Sequence, residues 1–435
     1  MEPYNLVSLL GLFLLLGLAW LCSSNKNAMN RRVIFWGTAL QLGFAAFIFL
    51  VPAGSKVFLI INDLVIKVLS SAQAGTEFVF GRLALPPGTE NADGESSLGF
   101  ILAFQGLATI VFFASLMGIL YFLRIMPWII QGFARIFTRL MRISGAESLC
   151  AASNIFVGAE SALTIRPYLD RMTRSELTTI LTAGMATVAS SVMALYVFLL
   201  QRDFPAIAGH LVSASILSAP AALVMSKILM PETQTPETLG VDVKAEYAKE
   251  RNLMEAAING ANSGVKLVVG VTALLLAFLG LVALLDLIVG GVGVGINRLF
   301  GLEFEWTIRN ILGYLFYPFT LIIGVPVPDA MEISRIVGER LVVTEVTAYK
   351  DLAAVLKQGL LRAPRSAVIC TYALCGFAHV ASLAIFVGGV SALAPKRTPE
   401  LSRLGPRALL AATLACLMTA AVAGTFFNAS SILLG

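Results

Sequence analysis

GAESLCAASNIFVGAESAL occupies residues 145–163, and a second stretch of similar character, GVPVPDAMEISRIVGERLVVTEVTAY, occupies 324–349. Both are apolar overall, yet Gly, Ser, Asn, Glu and Pro interrupt them too often for a plain lipid-facing helix. Non-helical backbone at membrane depth survives only where protein or a water-filled cavity surrounds it. Residues 127–168 and 306–349 are therefore expected to form two re-entrant hairpins, each entering and leaving on one side. Each hairpin ends on a carboxylate in an apolar setting, Glu160 in the first and Glu345 in the second.

The rest of the chain supplies the membrane context. Of 435 residues, 57% are hydrophobic and 13% charged, whereas a soluble domain carries about 25% charged residues. Apolar runs at 4–22, 33–52, 98–123, 176–200, 205–229, 265–290, 366–392 and 408–433 make eight candidate spans, at about 20 residues per crossing. The first reads as a retained transmembrane helix, since no Lys or Arg precedes it as in a signal peptide. KVFLIINDLVIKVLSSA (56–72), interrupted by Lys56, Asn62, Asp63 and Lys67, suits an amphipathic helix lying in the interface. The net charge of +5 is spread over short loops, which points to orientation in a bilayer and not to nucleic acid. Five cysteines without metal-ligand spacing read as small hydrophobes.

Loop charges sketch an orientation. Placing Arg31, Arg32, Arg124, Arg135, Arg139, Arg142, Lys396, Arg397, Arg403 and Arg407 in the cytoplasm puts both termini outside. Lys350, Lys357, Arg362 and Arg365 then fall on the opposite side and disagree.

GMATVAS (184–190) and GFAHVAS (376–382) match at five of seven positions. Each lies in an apolar run that follows one of the interrupted stretches, and another span follows each. The order hairpin, broken span, span thus occurs twice. Short small-residue strings also recur by chance in membrane helices, but here order and carboxylates match as well. With a span between the units, the repeat is expected to be inverted, as in secondary transporters.

An ionisable group at the centre of a membrane helix costs about 2.5–3.5 kcal/mol on insertion scales. Glu160 and Glu345 therefore read as acceptors for one polar solute, the alternative being a hydrated membrane edge. His379 stands where the other repeat has Thr187, so it reads as a solute ligand or a titrating group. His210 is expected near a membrane surface. Phe377 is equally open to stacking on a flat ring or to ordinary packing. Asn154 and Thr187, with carbonyls freed at helix breaks, suggest a cage of hard ligands for Na+. TRSE (173–176) reads as a structural capping box. GGVGVG (290–295) lacks a preceding strand and is rejected as a nucleotide loop. No Walker A motif occurs, which argues against an ATP-driven pump.

GAESLCAASNIFVG, RPYL, SELTTILTAGMATVASS, ASILSAPAAL, GYLFYPFTLIIGVP, ALCGFA and GGVSALAPKR follow one another over roughly residues 98–425. In these motifs the sequence resembles the concentrative nucleoside transporters. The resemblance implies an inward-facing homotrimer that moves nucleosides by alternating access on a Na+ or H+ gradient. It implies a Na+ site at Asn154, the carbonyls of Val157 and Val188, and the Thr187 hydroxyl. It implies nucleobase contacts at Glu160 and Val192, and ribose contacts at Glu345, Phe377 and Ser382. Three departures stand out. The family's Gly-Gln-Thr/Ser-Glu is Gly158-Ala159-Glu160 here, so the base-reading Gln is gone. Its ribose-side Asn is His379, and its NEF around the second acid is TEV, Thr344 to Val346.

The expected protein is an all-α polytopic membrane transporter, not an enzyme, in a bacterial inner membrane. Its expected parts are scaffold and interfacial helices (1–126), a first transport repeat (127–230), a linker with a scaffold helix (231–305) and a second repeat (306–435). Na+ is the expected coupling ion. The alternatives are H+ coupling through His379 and Glu345, another polar solute, or a solute-binding membrane protein that does not transport.

Overall fold

A computed structural model describes residues 3–91, 94–245, 250–301, 303–428 and Leu433. The chain is nearly all helix: α1 (Pro3–Leu21), α2 (Arg31–Leu50), α3 (Pro52–Phe80), α4 (Ala108–Phe122), α5 (Ile125–Met141), α6 (Gly145–Asn154), α7 (Arg174–Ala186) and α8 (Ser190–Leu200). The remainder are α9 (Ile207–Leu229), α10 (Leu253–Phe300), α11 (Ile308–Ile322), α12 (Val327–Glu339), α13 (Glu345–Lys357), α14 (Pro364–Leu374), α15 (Val380–Leu393) and α16 (Thr398–Phe426). A 3-10 helix covers Ala159–Arg171.

Among the described residues, eight helical segments are long and apolar enough to cross a membrane. The number equals the sequence expectation, but the membership differs. The 366–392 run is two short helices, α14 and α15, because the chain leaves helical geometry at 375–379. Residues 56–72 belong to the 29-residue α3, which also qualifies by length and composition and is the least apolar of the eight. On α3, Lys56, Asp63 and Lys67 are exposed, whereas Asn62 is buried and its Oδ1 accepts from the Gly209 N–H at 3.1 Å. The 265–290 run extends at both ends into the 48-residue α10. Residues 429–432, within the last expected span, lie outside the described residues.

Within the two stretches expected to form hairpins, three helices are too short to cross alone. α6 has 10 residues and α12 and α13 have 13 each, and at 1.5 Å per residue such helices reach about half to two-thirds of the hydrocarbon core. The limbs meet at tips near 155–158 and 340–344. The predicted capping box at Thr173 is present: Thr173 Oγ1 accepts from Glu176 N–H and the Glu176 carboxylate accepts from Thr173 N–H.

α7, α9, α14 and α16 pack together at the centre. Apolar windows in 207–229 and 395–426 are 89% and 78% buried, against 6% for α10, which lies mostly outside the packed centre. α10 pairs instead with α4 through small residues. A Cβ on Gly118 would lie 2.6 Å from Ala256 O, and one on Gly260 would lie 2.5 Å from Ala114 O, so the two backbones touch.

Arg365 corrects the charge count. It is fully buried, not a loop cation. Its guanidinium donates to Gly324 O, Tyr4 O, Asn5 Oδ1, Ser8 Oγ and Gly424 O, which ties α1, the loop before α12 and the end of α16 together. His210 is likewise buried, in the first turn of α9: Nε2 lies 2.8 Å from Leu433 O and Nδ1 lies 3.3 Å from the Tyr372 hydroxyl. Cys150, Cys370, Cys375 and Cys416 are buried free thiols and Cys22 is exposed.

Candidate functional site

Both matched heptapeptides break their helices. α7 ends before Thr187, which is extended at φ −122° and ψ 164°, and α8 begins at Ser190. α14 ends at Leu374 and α15 begins at Val380, with His379 extended at φ −143° and ψ 164°. Each break is bonded to its own hairpin tip. Ser190 N–H donates to Phe156 O at 3.0 Å, and Val380 N–H donates to Leu341 O at 3.1 Å. The breaks also meet each other, because a Cβ on Gly376 would lie 2.8 Å from Ala186 O. Only glycine permits that approach.

Between these parts and the α4–α10 pair lies a cavity of about 440 Å³, within the usual range for small-molecule sites of about 300–1,000 Å³. Glu160, Val192, Glu345, Phe377, His379 and Ser382 all line it, as does Val157. The Ala159 side chain lies outside the described residues. Asn154, Thr187 and Val188 are buried behind this wall. Among the described residues, the lining contains three carboxylates, Glu160, Glu250 and Glu345, and no Lys or Arg.

Glu345 starts α13 and is buried at 4% exposure. Its Oε1 accepts from the Tyr196 hydroxyl at 2.7 Å, and its Oε2 lies 2.7 Å from His379 Nε2. His379 caps α15: Nδ1 accepts from Ser382 N–H at 3.2 Å, and Nε2 lies 2.8 Å from Ser382 Oγ. Because Nδ1 is an acceptor, the ring proton sits on Nε2. Tyr196 in turn stacks on Tyr349, with ring centroids 4.3 Å apart.

The residues expected to hold a cation have suitable chemistry. Asn154 Nδ2 donates to Cys150 O at 3.0 Å, while its Oδ1 is buried with no hydrogen-bond partner. The neighbouring Ser153 Oγ is also buried without one. Thr187 Oγ1 gives its hydrogen to Ala183 O at 2.8 Å and keeps its lone pairs. Orphaned buried acceptors are costly, and hard oxygens of this kind suit an alkali cation.

Sequence reasoning missed several groups. Tyr196 reads as one more aromatic in an apolar run. Thr344, whose Oγ1 is buried without a partner, and Asn259 and Ser263 on α10 also line the cavity. Lys227 and Glu147 form a buried pair at 2.8 Å, with side chains 4% and 1% exposed, behind the first hairpin. Lys227 also donates to Ser175 Oγ at 3.0 Å. In the second half Asp329, at the matching place in its hairpin, accepts from Ser366 Oγ and from the N–H groups of Arg362 and Ala363. The capping box Ser144–Glu147 announced a helix start; nothing local announced its lysine partner.

Broken helices from two similar halves, converging on a cavity with buried acceptors, define a secondary transporter. The particular family follows from comparison with known proteins: the chain belongs to the concentrative nucleoside transporters. Residues 10–83 match the Na+ dependent nucleoside transporter N-terminus, 103–202 match Nucleoside recognition and 210–424 match the Na+ dependent nucleoside transporter C-terminus. The chain is 38% identical over 430 residues to an uncharacterized transporter of Haemophilus influenzae, covering 97% of this chain and 98% of that one. It is 36% identical to the nucleoside permease NupC of Helicobacter pylori, covering 98% of each. It is also 36% identical to solute carrier family 28 member 3 of Mus musculus, covering 97% of this chain but only 58% of that longer protein.

The solved structure of CNTnw in an inward-facing substrate-bound state superposes with a TM-score of 0.87 at 35% identity, covering 97% of this chain and 98% of that one. A variant of CNTnw in an outward-facing state gives a TM-score of 0.87 at 34% identity, covering 98% of each chain. The chain is an integral membrane protein of a transporter family, not an enzyme. Its bacterial relatives agree with the expected inner-membrane location.

Proposed function

We propose that this chain is a Na+-coupled symporter that carries nucleosides or close analogues by alternating access. The observation that carries this reading is the shared cavity, in which two hairpin tips and two helix breaks face the α4–α10 pair across solute-sized space. Glu345 and Glu160 accept hydrogen bonds from the sugar and base respectively, and Val192 and Phe377 cover the apolar faces. Three carboxylates without Lys or Arg among the described lining residues suit a neutral solute and repel a phosphorylated one.

Asn154 Oδ1, the Thr187 hydroxyl and the carbonyls of Val157 and Val188 hold Na+. The orphaned Asn154 oxygen supports this, since a cation would satisfy it. Residues 127–230 and 306–435 then move as two inverted transport repeats. Residues 1–126 and 231–305 stay as scaffold, with the segment around 56–72 in the interface. A homotrimer suits the exposed apolar length of α10.

A specific contact favours one other coupling scheme. His379 Nε2 and Glu345 Oε2 are 2.7 Å apart, a distance at which one proton is readily shared, so H+ is the second candidate ion. The test is uptake of a labelled nucleoside panel into proteoliposomes, with an inward Na+ gradient or choline, each at two pH values. Na+-dependent accumulation is expected. Uptake that ignores Na+ but follows pH selects the proton scheme, and no uptake by folded protein sinks nucleoside transport.

A further inference from the structure

The sugar side of the cavity is already crowded by the protein's own side chains. Tyr196 occupies Glu345 Oε1 at 2.7 Å, and His379 Nε2 sits 2.7 Å from Oε2 and 2.8 Å from Ser382 Oγ. His379 is also held from behind, because Nδ1 caps α15 through Ser382 N–H at 3.2 Å. The ring therefore cannot swing aside without uncapping a helix at the break.

We propose that His379 makes this carrier selective for nucleosides with one sugar hydroxyl fewer than a ribonucleoside, that is, the 2′-deoxy or 3′-deoxy class. The inference rests on the reading of this cavity as a nucleoside site. Two adjacent hydroxyls require two free acceptor positions side by side. Here the Nε2–H group stands at both Glu345 Oε2 and Ser382 Oγ, so a second hydroxyl must displace it. Displacement parts the imidazole, buried at 3% exposure, from both neighbours and from its packed place at the helix break, a penalty that a deoxy sugar avoids. A single hydroxyl still reaches the remaining lone pairs of the Glu345 carboxylate, which accepts at several positions. An asparagine in place of His379 is shorter and does not bridge from the helix cap to Glu345.

The experiment compares the ribo, 2′-deoxy and 3′-deoxy forms of one nucleoside. Vmax/KM is measured in proteoliposomes, and binding to the purified wild-type protein is measured by calorimetry. At least one deoxy form is expected to exceed the ribo form by about tenfold in both readouts, and His379→Asn is expected to bring the ratio to within about threefold of unity. Equal or better handling of the ribo form by the wild type overturns the proposal, and the binding arm gives that answer even if the variant does not fold. A ratio unchanged in a folded His379→Asn protein also overturns it. Absence of binding and uptake for all three forms rejects the nucleoside reading itself, a result distinct from nucleoside binding with the wrong preference.

Discussion

Tyr196 and Glu345 lie in different halves of the chain and are joined by a hydrogen bond of 2.7 Å. The tyrosine follows the first helix break and the carboxylate opens the second limb of the second hairpin. The bond therefore links the two repeats at the cavity wall and fixes the direction in which the carboxylate faces. Hydrogen bonds to charged groups are worth about 1.5–3 kcal/mol, and about 1.4 kcal/mol is tenfold in affinity. Tyr196→Phe is expected to raise the KM for uptake about tenfold while changing Vmax much less. An unchanged KM would show that the carboxylate is positioned without it.

Glu345→Gln removes the charge but preserves size. Uptake is expected to fall at least tenfold, while Glu237→Gln, at an exposed position paired with Arg171, stays within about twofold of wild type. Initial rates at equal amounts of reconstituted protein make the comparison. Near-normal uptake in both variants removes Glu345 from the solute site.

Asn154→Ala deletes the orphaned Oδ1. The expected result is a rightward shift of the Na+ activation curve by tenfold or more, with nucleoside binding retained at saturating Na+. A curve superimposable on wild type would mean that the orphaned oxygen serves no cation.

The Lys227–Glu147 pair predicts a non-additive pattern. Lys227→Met alone strands a buried carboxylate 1% exposed, and removing one partner of such a pair costs about 3–5 kcal/mol. The double variant Lys227→Met with Glu147→Gln is expected to lose clearly less. Melting temperatures in detergent read this directly: wild type highest, double variant next, single variant lowest. A single variant as stable as wild type contradicts a tightly coupled pair.

What the sequence disclosed depended on whether the signal was local. The heptapeptides announced the two helix breaks because small residues and polar caps must sit where backbone leaves the helix. The interruptions near 155–158 and 340–344 were legible for the same reason, and Glu160, Glu345 and His379 stood out as polar groups in apolar surroundings. Tyr196 was not legible, since a tyrosine in an apolar run looks like packing until its hydroxyl finds an acceptor 149 positions away. Lys227 drew no reading from the sequence, and Arg365 was counted as a loop charge. Both are buried because of partners contributed by distant segments. α10 was underestimated because its polar ends continue the helix beyond its apolar centre.

The partners of Arg365 come from distant parts of the sequence, at residues 4, 5, 8, 324 and 424. During synthesis, residue 365 leaves the ribosome before Gly424 has been made. Its charge cannot then be fully satisfied where it finally rests, and hydrocarbon is a costly place to wait. The second half consequently cannot settle segment by segment in the order of translation. Its insertion must finish with a late closing event, when α16 arrives and one guanidinium clasps it to α1.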